Sequence, residues 1–275
     1  MKDISLYETI SRKPKDPEVN FFMNKHTLRI LPHWHEHTEV LFFIRGGCSF
    51  FCDGKTFDVN ENDIVVINST QVHSFSAREG IAEHYCMHIK PSFFSDVDFR
   101  NVHIQNLIRG DEYAALLIKK IRNRKYIKKK GNDMMIKSHA YALFAHFLKK
   151  YSYKEDADEL KKNTDNLRRM EEVFLYIDAH YNESISTEML ASLMYVSVSY
   201  FCRFFKKVTG TTSAAYISEL RIKKSLPLIE NTDLGMAEIA EKVGFDDPNY
   251  FSRVFRSVTG ITPSEYRKGV EKESQ

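Results

Sequence analysis

The sequence has few cysteines and lacks long apolar runs. Its four cysteines, Cys48, Cys52, Cys86 and Cys202, include no Cys-x-x-Cys pair, the spacing that zinc ribbons and dithiol redox centres use. No apolar stretch approaches the roughly 18 residues of a membrane-spanning helix, and the first residues are polar rather than signal-like. The sequence therefore predicts neither a cysteine-based centre nor a membrane protein, and the cytoplasm is the expected location.

Net charge is also small. The 275 residues include 40 basic and 37 acidic side chains, which give +3, and 43% are hydrophobic. This composition is sufficient for about two domains of roughly 100 to 200 residues each. Phosphate binding needs local cations rather than a high total charge. Cations do cluster in one C-terminal stretch: Arg203, Lys206, Lys207, Arg221, Lys223 and Lys224.

The strongest pattern is an internal repeat. Tyr200–Tyr216 and Tyr250–Tyr266 both have the sequence Tyr-Phe-x-Arg-x-Phe-(Lys/Arg)-x-Val-Thr-Gly-x-Thr-x-x-x-Tyr. In each copy Phe, Phe and Val recur at the spacing of one buried helix face, and a glycine follows where a helix would end. The opposite faces carry polar and cationic residues: Ser199, Cys202, Arg203, Lys206, Asn249, Ser252, Arg253 and Arg256.

A second, shorter amphipathic helix is predicted before each copy. These helices cover residues 187–194 and 236–243, and each has a small residue, Ala191 or Ala240, where another helix would approach. The second turn, residues 244–248, combines Gly, Asp and Pro, which favour a helix end, a cap and a helix start. The first turn, 195–197, is shorter and lacks glycine. Two helix-turn-helix units follow from this pattern.

The motif Gly-Phe-x-Asp-x-x-Tyr-Phe-x-Arg-x-Phe at 244–255, with Gly-x-Thr-Pro-x-x-Tyr-Arg at 260–267, resembles the signature of the AraC/XylS family of transcription regulators. The resemblance covers residues from near Glu171 to Lys268 and implies two units, joined by a long helix, that bind double-stranded DNA. One departure is Pro227, which we expect to kink or end the joining helix at a cost of roughly 3 kcal/mol. Another is Ser225, where the family usually has alanine.

Roles for the polar faces follow from side-chain chemistry. Arg203 and Arg253 are the expected base contacts, because a guanidinium can bond O6 and N7 of guanine together. Ser199, Cys202, Asn249 and Ser252 would add contacts, while Lys206 and Arg256 would neutralise phosphates. The alternative for the two arginines is a structural ion pair that holds each helix.

The N-terminal region predicts short strands. Val40–Ile44, Cys48–Cys52, Thr56–Val59, Asp63–Ile67 and Ile81–Ile89 are apolar runs separated by turn residues, including Asp53-Gly54. Regular short strands with an Asp-Gly turn are typical of an antiparallel sandwich or barrel.

A histidine motif lies within these strands. His33, His35 and Glu39 precede Gly46, and His73 lies further on; this spacing is similar to the first cupin motif, although Asn68-Ser69-Thr70 replaces the Pro-x-Gly of the second. His33 and His35 alternate onto one side of a strand, and such a set suits a divalent transition metal. The residues could instead line an effector pocket or be purely structural. Trp34 could stack on a sugar ring, or lie in the core or the pocket wall.

The middle of the chain predicts a helix pair. Residues 104–127 and 134–148 have helical apolar spacing, and Gly131-Asn132-Asp133 separates them. In the AraC/XylS family such helices form a dimer interface, so the resemblance implies a homodimer; the alternative is packing on the barrel alone. The polar stretch that follows is the expected linker.

The predicted fold class is α+β with two domains. Residues 1–151 form a cupin-like antiparallel β-barrel with a helix pair, 152–169 a linker, and 170–270 an all-α domain with two helix-turn-helix motifs. The expected function is transcription regulation by DNA binding, controlled by a small-molecule effector for which a carbohydrate is one option. The alternatives are a metal-dependent cupin enzyme fused to a DNA-binding module and a constitutive regulator with a vestigial pocket.

Overall fold

A computed structural model describes residues 18–26, 29–78, 82–94, 102–154 and 157–273. They form two compact units, one made mainly of residues 34–167 and the other mainly of residues from 168 onward. We call them the β-rich unit and the helical unit. None of the helices in the described ranges combines the length and apolar character needed to cross a membrane.

The strands form two main antiparallel sheets and a short pair. The five-stranded sheet has the order β1-β8-β3-β6-β10, the four-stranded sheet β2-β7-β4-β5, and β11 pairs with β9. Their bounds are β1 Val19–His26, β2 Ile30–His33, β3 Thr38–Arg45, β4 Cys48–Cys52, β5 Lys55–Val59, β6 Ile64–Ile67, β7 His73–Ala77, β8 Ala82–Ile89, β9 Val102–Ile104, β10 Leu107–Ile108 and β11 Ser152–Lys154.

Nine helices lie within the described residues. Their bounds are α1 Glu112–Arg124, α2 Asn132–Tyr151, α3 Ala157–His180, α4 Thr187–Leu193, α5 Val198–Thr209, α6 Ser213–Asn231, α7 Met236–Lys242, α8 Pro248–Thr259 and α9 Pro263–Glu273. A short 3-10 helix covers Pro91–Phe94. The predicted Asp53-Gly54 turn joins β4 to β5, and both residues have the positive φ that such a turn needs (47° and 79°).

Side-chain alternation on β3 determines the layers of the β-rich unit. Val40 and Phe42 face α1 and α2 and belong to a buried apolar cluster with both helices. The intervening residues point the other way, and the Phe43 ring lies 6.4 Å from Phe75 on β7 of the other sheet. The space between the two sheets therefore receives the side chains of Glu39 and Phe43.

The helix predicted over residues 104–127 is wrong in its first part. Leu107 and Ile108 form β10 and pair with Val65 and Ile64 of β6, and α1 begins only at Glu112. The Asp111 carboxylate caps this helix by accepting from the Ala114 N–H at 2.9 Å. Two apolar residues cannot distinguish a strand from a helix by spacing, and here sheet pairing decides.

The predicted linker region contains regular structure. β11 covers Ser152–Lys154, and α3 begins at Ala157 and continues to His180. The division between the two units falls after Leu167, within α3. Residues 155–156 lie outside the described part of the chain.

Pro227 does not end the joining helix, contrary to the expectation of an early end. α6 continues past it to Asn231, whose side-chain amide donates to the Pro227 carbonyl oxygen at 2.8 Å. Leu226 and Ile229 are buried against the second helix-turn-helix unit. Packing on both sides of the proline outweighs the roughly 3 kcal/mol that it costs. Ser225 is buried and donates to the Ile222 carbonyl oxygen at 2.7 Å, which satisfies its hydroxyl.

The two helix-turn-helix turns differ as the sequence predicts. After α7, Gly244 has φ +90°, and a Cβ there would lie 2.8 Å from backbone atoms of Asn182. After α4, Tyr195 takes the corresponding position with φ +57° and is 94% exposed. Glycine is required in the second turn by close backbone approach, whereas the first turn has room for a side chain.

We expect Gly244→Ala to lower the free energy of unfolding by about 2 to 3 kcal/mol, because both left-handed strain and a backbone clash result. Gly260→Ala is the matched control, since Gly260 also has positive φ (+83°) but nothing lies within 4 Å of the added Cβ. It should lose only about 1 to 2 kcal/mol. Denaturant unfolding of both variants measures the difference, and equal losses would show that the Asn182 contact carries no cost.

Candidate nucleic-acid interface and effector site

The internal repeat corresponds to α5 and α8, which have matching caps. Ser197 accepts from the Tyr200 N–H at the start of α5, and Asp247 accepts from the Asn249 N–H at the start of α8. Both helices end at a left-handed glycine, whose N–H donates to the carbonyl oxygen of Lys206 or Arg256 at 2.8 Å. The predicted glycine ends of both helices and the predicted Asp cap of α8 are confirmed, and Ser197 adds a cap that the sequence analysis did not predict.

The inner faces of α5 and α8 are also repeated in space. Phe201 and Phe205 are fully buried, as are their counterparts Phe251 and Phe255. The ring of Phe205 lies 5.7 Å from Tyr216, and that of Phe255 lies 5.7 Å from Tyr266. Equivalent aromatic anchors fix the rotation of each helix, so equivalent residues face outward.

The outward faces carry the polar residues predicted from the sequence. Ser252 is half-buried and donates to the Pro248 carbonyl oxygen at 3.0 Å. The others are exposed: Ser199, Cys202, Arg203, Lys206, Asn249, Arg253 and Arg256.

Among the described residues, Arg203 and Arg253 have no acidic partner of the kind that a structural ion pair would require. The Arg253 guanidinium lies over the Tyr250 ring at 5.6 Å, a contact that orients the group without neutralising it. Each guanidinium is therefore available to a nucleic acid, and an α-helix with this face fits the major groove.

A second site is centred on Glu39, a carboxylate buried in the β-rich unit. Its Oε2 lies 3.1 Å from His35 Nε2 and 3.3 Å from His73 Nε2. Its Oε1 lies 3.1 Å from His88 Nε2 and accepts from the Cys86 thiol at 2.8 Å. We call Glu39, His35, His73, His88 and Cys86 the Glu39 cluster; all five are buried.

Charge in this cluster is controlled by burial and by the imidazoles. Burial raises the pKa of the Glu39 carboxyl, but His88 and the hydrogen bonds from His35, His73 and His88 outweigh it and hold that pKa well below its usual range. His37 stacks on His35 with ring centres 4.4 Å apart. Burial, followed by the charges of His35 and His88, lowers the pKa of His37 to about 3. Glu39 is thus ionised, and His37 is neutral near pH 7.

The histidines of the motif fit a metal. The Nδ1 atoms of His33, His35 and His73 lie 2.8, 2.9 and 3.0 Å from backbone carbonyl oxygens, which is how proteins orient metal-binding imidazoles. Ligand atoms of His33, His35 and His73 lie within 4.8 Å of one another, as do those of His35, Glu39 and His88. Imidazole and carboxylate ligands together suit a divalent transition metal.

Residues 22–144 match the family model of the AraC-like ligand binding domain, and residues 190–269 match that of a helix-turn-helix domain. The chain belongs to the AraC family of transcription regulators. It is a DNA-binding transcription regulator with a ligand-binding domain rather than an enzyme, which removes the alternative of a metal-dependent cupin enzyme.

Relatives in the AraC family match most of the chain. The uncharacterized regulator YdeC of Bacillus subtilis is 25% identical over 252 residues, 86% of this chain and 85% of YdeC. The transcriptional activator RhaS of Escherichia fergusonii is 23% identical over 245 residues, 86% of this chain and 87% of RhaS. An apo ToxT variant from Vibrio cholerae has a TM-score of 0.50 at 16% identity and covers 92% of this chain and 97% of its own. This last similarity shows the two-domain fold.

Two members of the Glu39 cluster lie outside the histidine motif that the sequence shows. His88 and Cys86 lie on β8, where the inward-facing row is His84, Cys86 and His88, all buried. This alternation of polar residues at every second position is the signal that could have indicated them. Trp34 is only 6% exposed, which fits a place in the core or the pocket wall.

Proposed function

We propose that this AraC-family regulator binds specific DNA sequences through matched faces of α5 and α8, and that a ligand at the Glu39 cluster controls that binding. The observation that supports the first part is a repeated pair of exposed guanidinium groups, on helices with equivalent buried aromatic residues, that form no ion pair with any described residue. Arg203 and Arg253 contact bases, Ser199, Cys202, Asn249 and Ser252 add contacts, and Lys206 and Arg256 bind phosphates. Such a regulator works where the chromosome is, which in a bacterial cell is the cytoplasm.

The effector is a small polar molecule, and a carbohydrate is one candidate class. Buried imidazoles and a buried carboxylate supply several donors and acceptors in a small volume, and sugar hydroxyls can satisfy both kinds. His33, His35, Glu39 and His73 are the expected contacts. The second candidate, supported by the orientation of the same histidines, is a divalent transition metal.

The protein acts as a homodimer in this proposal. The helix pair α1 and α2 leaves large apolar side chains exposed, among them Tyr113 at 50%, Leu116 at 47% and Met134 at 75%. Exposed apolar groups of this size favour an interface, and a two-fold protein suits repeated half-sites. Sedimentation of the full chain measures this directly.

Selection of bound sequences from random duplex DNA tests the proposed function. The full-length protein is used alone, with divalent metals, and with a panel of sugars. We expect two short sequence elements about one helical turn apart, and the additive that sharpens their enrichment identifies the effector class. An unenriched pool under every condition would contradict the assignment of α5 and α8.

A further inference from the structure

The carboxylate at the centre of the proposed effector site is held from one side by residues outside the His-x-His motif. Glu39 on β3 pairs directly with His88 on β8, and His88 Nε2 lies 3.1 Å from Glu39 Oε1. The buried His88 Nδ1 has no hydrogen-bond partner among the described residues. The ring proton therefore belongs on Nε2, where it bonds the carboxylate. The Cys86 thiol donates to the same oxygen at 2.8 Å.

The other carboxylate oxygen, Glu39 Oε2, faces the imidazoles of His35 and His73. The Nδ1 atoms of His35 and His73 lie 2.9 and 3.0 Å from carbonyl oxygens, which can only accept, so each Nδ1 carries hydrogen. With Nδ1 occupied in this way, the Nε2 atoms of both rings face Glu39 Oε2, at 3.1 and 3.3 Å. Three ligand atoms therefore converge, and a divalent cation between them would accept a lone pair from each nitrogen and attract the carboxylate oxygen.

The geometry points to a divalent transition metal bound by Glu39 Oε2, His35 and His73. His88 and Cys86 hold the other carboxylate oxygen, Oε1, in place. This inference rests on the proposed effector site and specifies its ligand. Neutral imidazoles and one carboxylate oxygen are ligands that zinc, cobalt and nickel accept in proteins. His88 and Cys86 are positioning residues, because they act through Glu39 rather than on the metal.

Cobalt(II) titration of the full chain, followed by visible absorption, tests this assignment. His88→Ala and Cys86→Ala should each weaken cobalt binding by about 10- to 100-fold. His88→Gln and Cys86→Ser, which can still donate to Oε1, should recover most of that loss. His84→Ala is the matched control, because His84 is buried on the same strand and packs against Phe43 with ring centres 5.0 Å apart. It should leave cobalt affinity unchanged.

The visible absorption spectrum shows whether Cys86 coordinates the cobalt itself or acts through Glu39. The wild-type complex should lack a thiolate-to-cobalt charge-transfer band, and Cys86→Ser should retain the wild-type spectrum. A charge-transfer band that disappears in Cys86→Ser would make Cys86 a ligand and overturn the assignment. Wild-type affinity in His88→Ala, with folding confirmed by circular dichroism, would also overturn it.

Failure of this inference is distinguishable from failure of the proposed function. If equilibrium dialysis finds no cobalt, zinc or nickel bound while the protein still enriches a DNA sequence in response to a sugar, the metal site is refuted and the proposed function stands. If the metal binds as described but no DNA sequence is enriched with or without it, the inference stands and the proposed function falls.

Discussion

Replacing Arg203 and Arg253 together with alanine should remove nearly all preference for the bases that they contact. Each bidentate arginine–guanine contact contributes about 1 to 3 kcal/mol of discrimination. The two residues lie on separate helices, α5 and α8, so their effects should add to about 2 to 6 kcal/mol. Competition binding with single-base operator variants measures this loss, position by position.

Single substitutions and a phosphate-contact control make the assignment specific. Arg253→Ala alone should relax preference at one base position and leave the position contacted by Arg203 unchanged. Lys206→Ala should instead weaken binding to all sequences and reduce the salt dependence by about one counterion. If Arg253→Ala behaves like Lys206→Ala, the arginine contacts phosphate or supports the helix, and the base-contact role is wrong.

Removing the Asp111 side chain should destabilise the β-rich unit strongly. The carboxylate is only 3% exposed. It caps α1 and accepts from Tyr151 of α2 at 2.6 Å, with His146 Nε2 at 2.7 Å. Asp111→Ala leaves these half-buried groups without their acceptor and uncaps α1, so we expect the free energy of unfolding to fall by about 2 to 4 kcal/mol. Chemical denaturation of the full chain, monitored by tyrosine fluorescence, measures it.

Two controls separate burial from charge. Lys150 also lies 3.2 Å from the carboxylate, but its side chain is 56% exposed, so Lys150→Ala should cost much less than Asp111→Ala. Asp111→Asn keeps an acceptor for the cap and should fall between the two. A loss in Lys150→Ala as large as in Asp111→Ala would show that the exposed ion pair, rather than the buried hydrogen bonds, stabilises the helix pair.

The free energy of unfolding should also depend on pH through the Asp111 carboxyl group. Burial raises the pKa of Asp111, but hydrogen bonds from Tyr151, Ala114 and His146 outweigh it and hold the pKa far below its usual range. Because the folded pKa lies below the unfolded value of about 3.9, the stabilisation is complete above that value and is lost as pH falls below it. Asp111→Asn should show a flatter stability profile in acid.

The helical unit was largely predictable from the sequence, because its signals are local. Helical spacing, Ser and Asp caps and terminal glycines lie within a few residues of the elements that they define, and the repeat doubled each signal. Gly260, for example, ends α8 with φ +83°, as its position after Val258-Thr259 predicts. What local rules misjudged was Pro227, because burial of Leu226 and Ile229 against distant helices decides whether α6 continues.

The Glu39 cluster was predictable only in part. His35, Glu39 and His73 belong to a spaced motif, whereas His88 lies opposite Glu39 through the register of β3 with β8. Register is a long-range property, which sequence alone does not specify for strands separated by four others. The same limit explains β10, whose two residues have helical spacing but pair with β6.

The continuity of α6 has a consequence for the DNA. Its 19 residues form a rod of about 28 Å, with Tyr216 and Leu220 buried near its start and Leu226 and Ile229 buried near its end. Because α6 is packed into both helix-turn-helix units, it fixes the angle between them around the DNA axis. An insertion of about five base pairs between the two operator elements would turn one element half a revolution away. We therefore expect DNA binding to depend on the distance between the two sequence elements as well as on the bases within them.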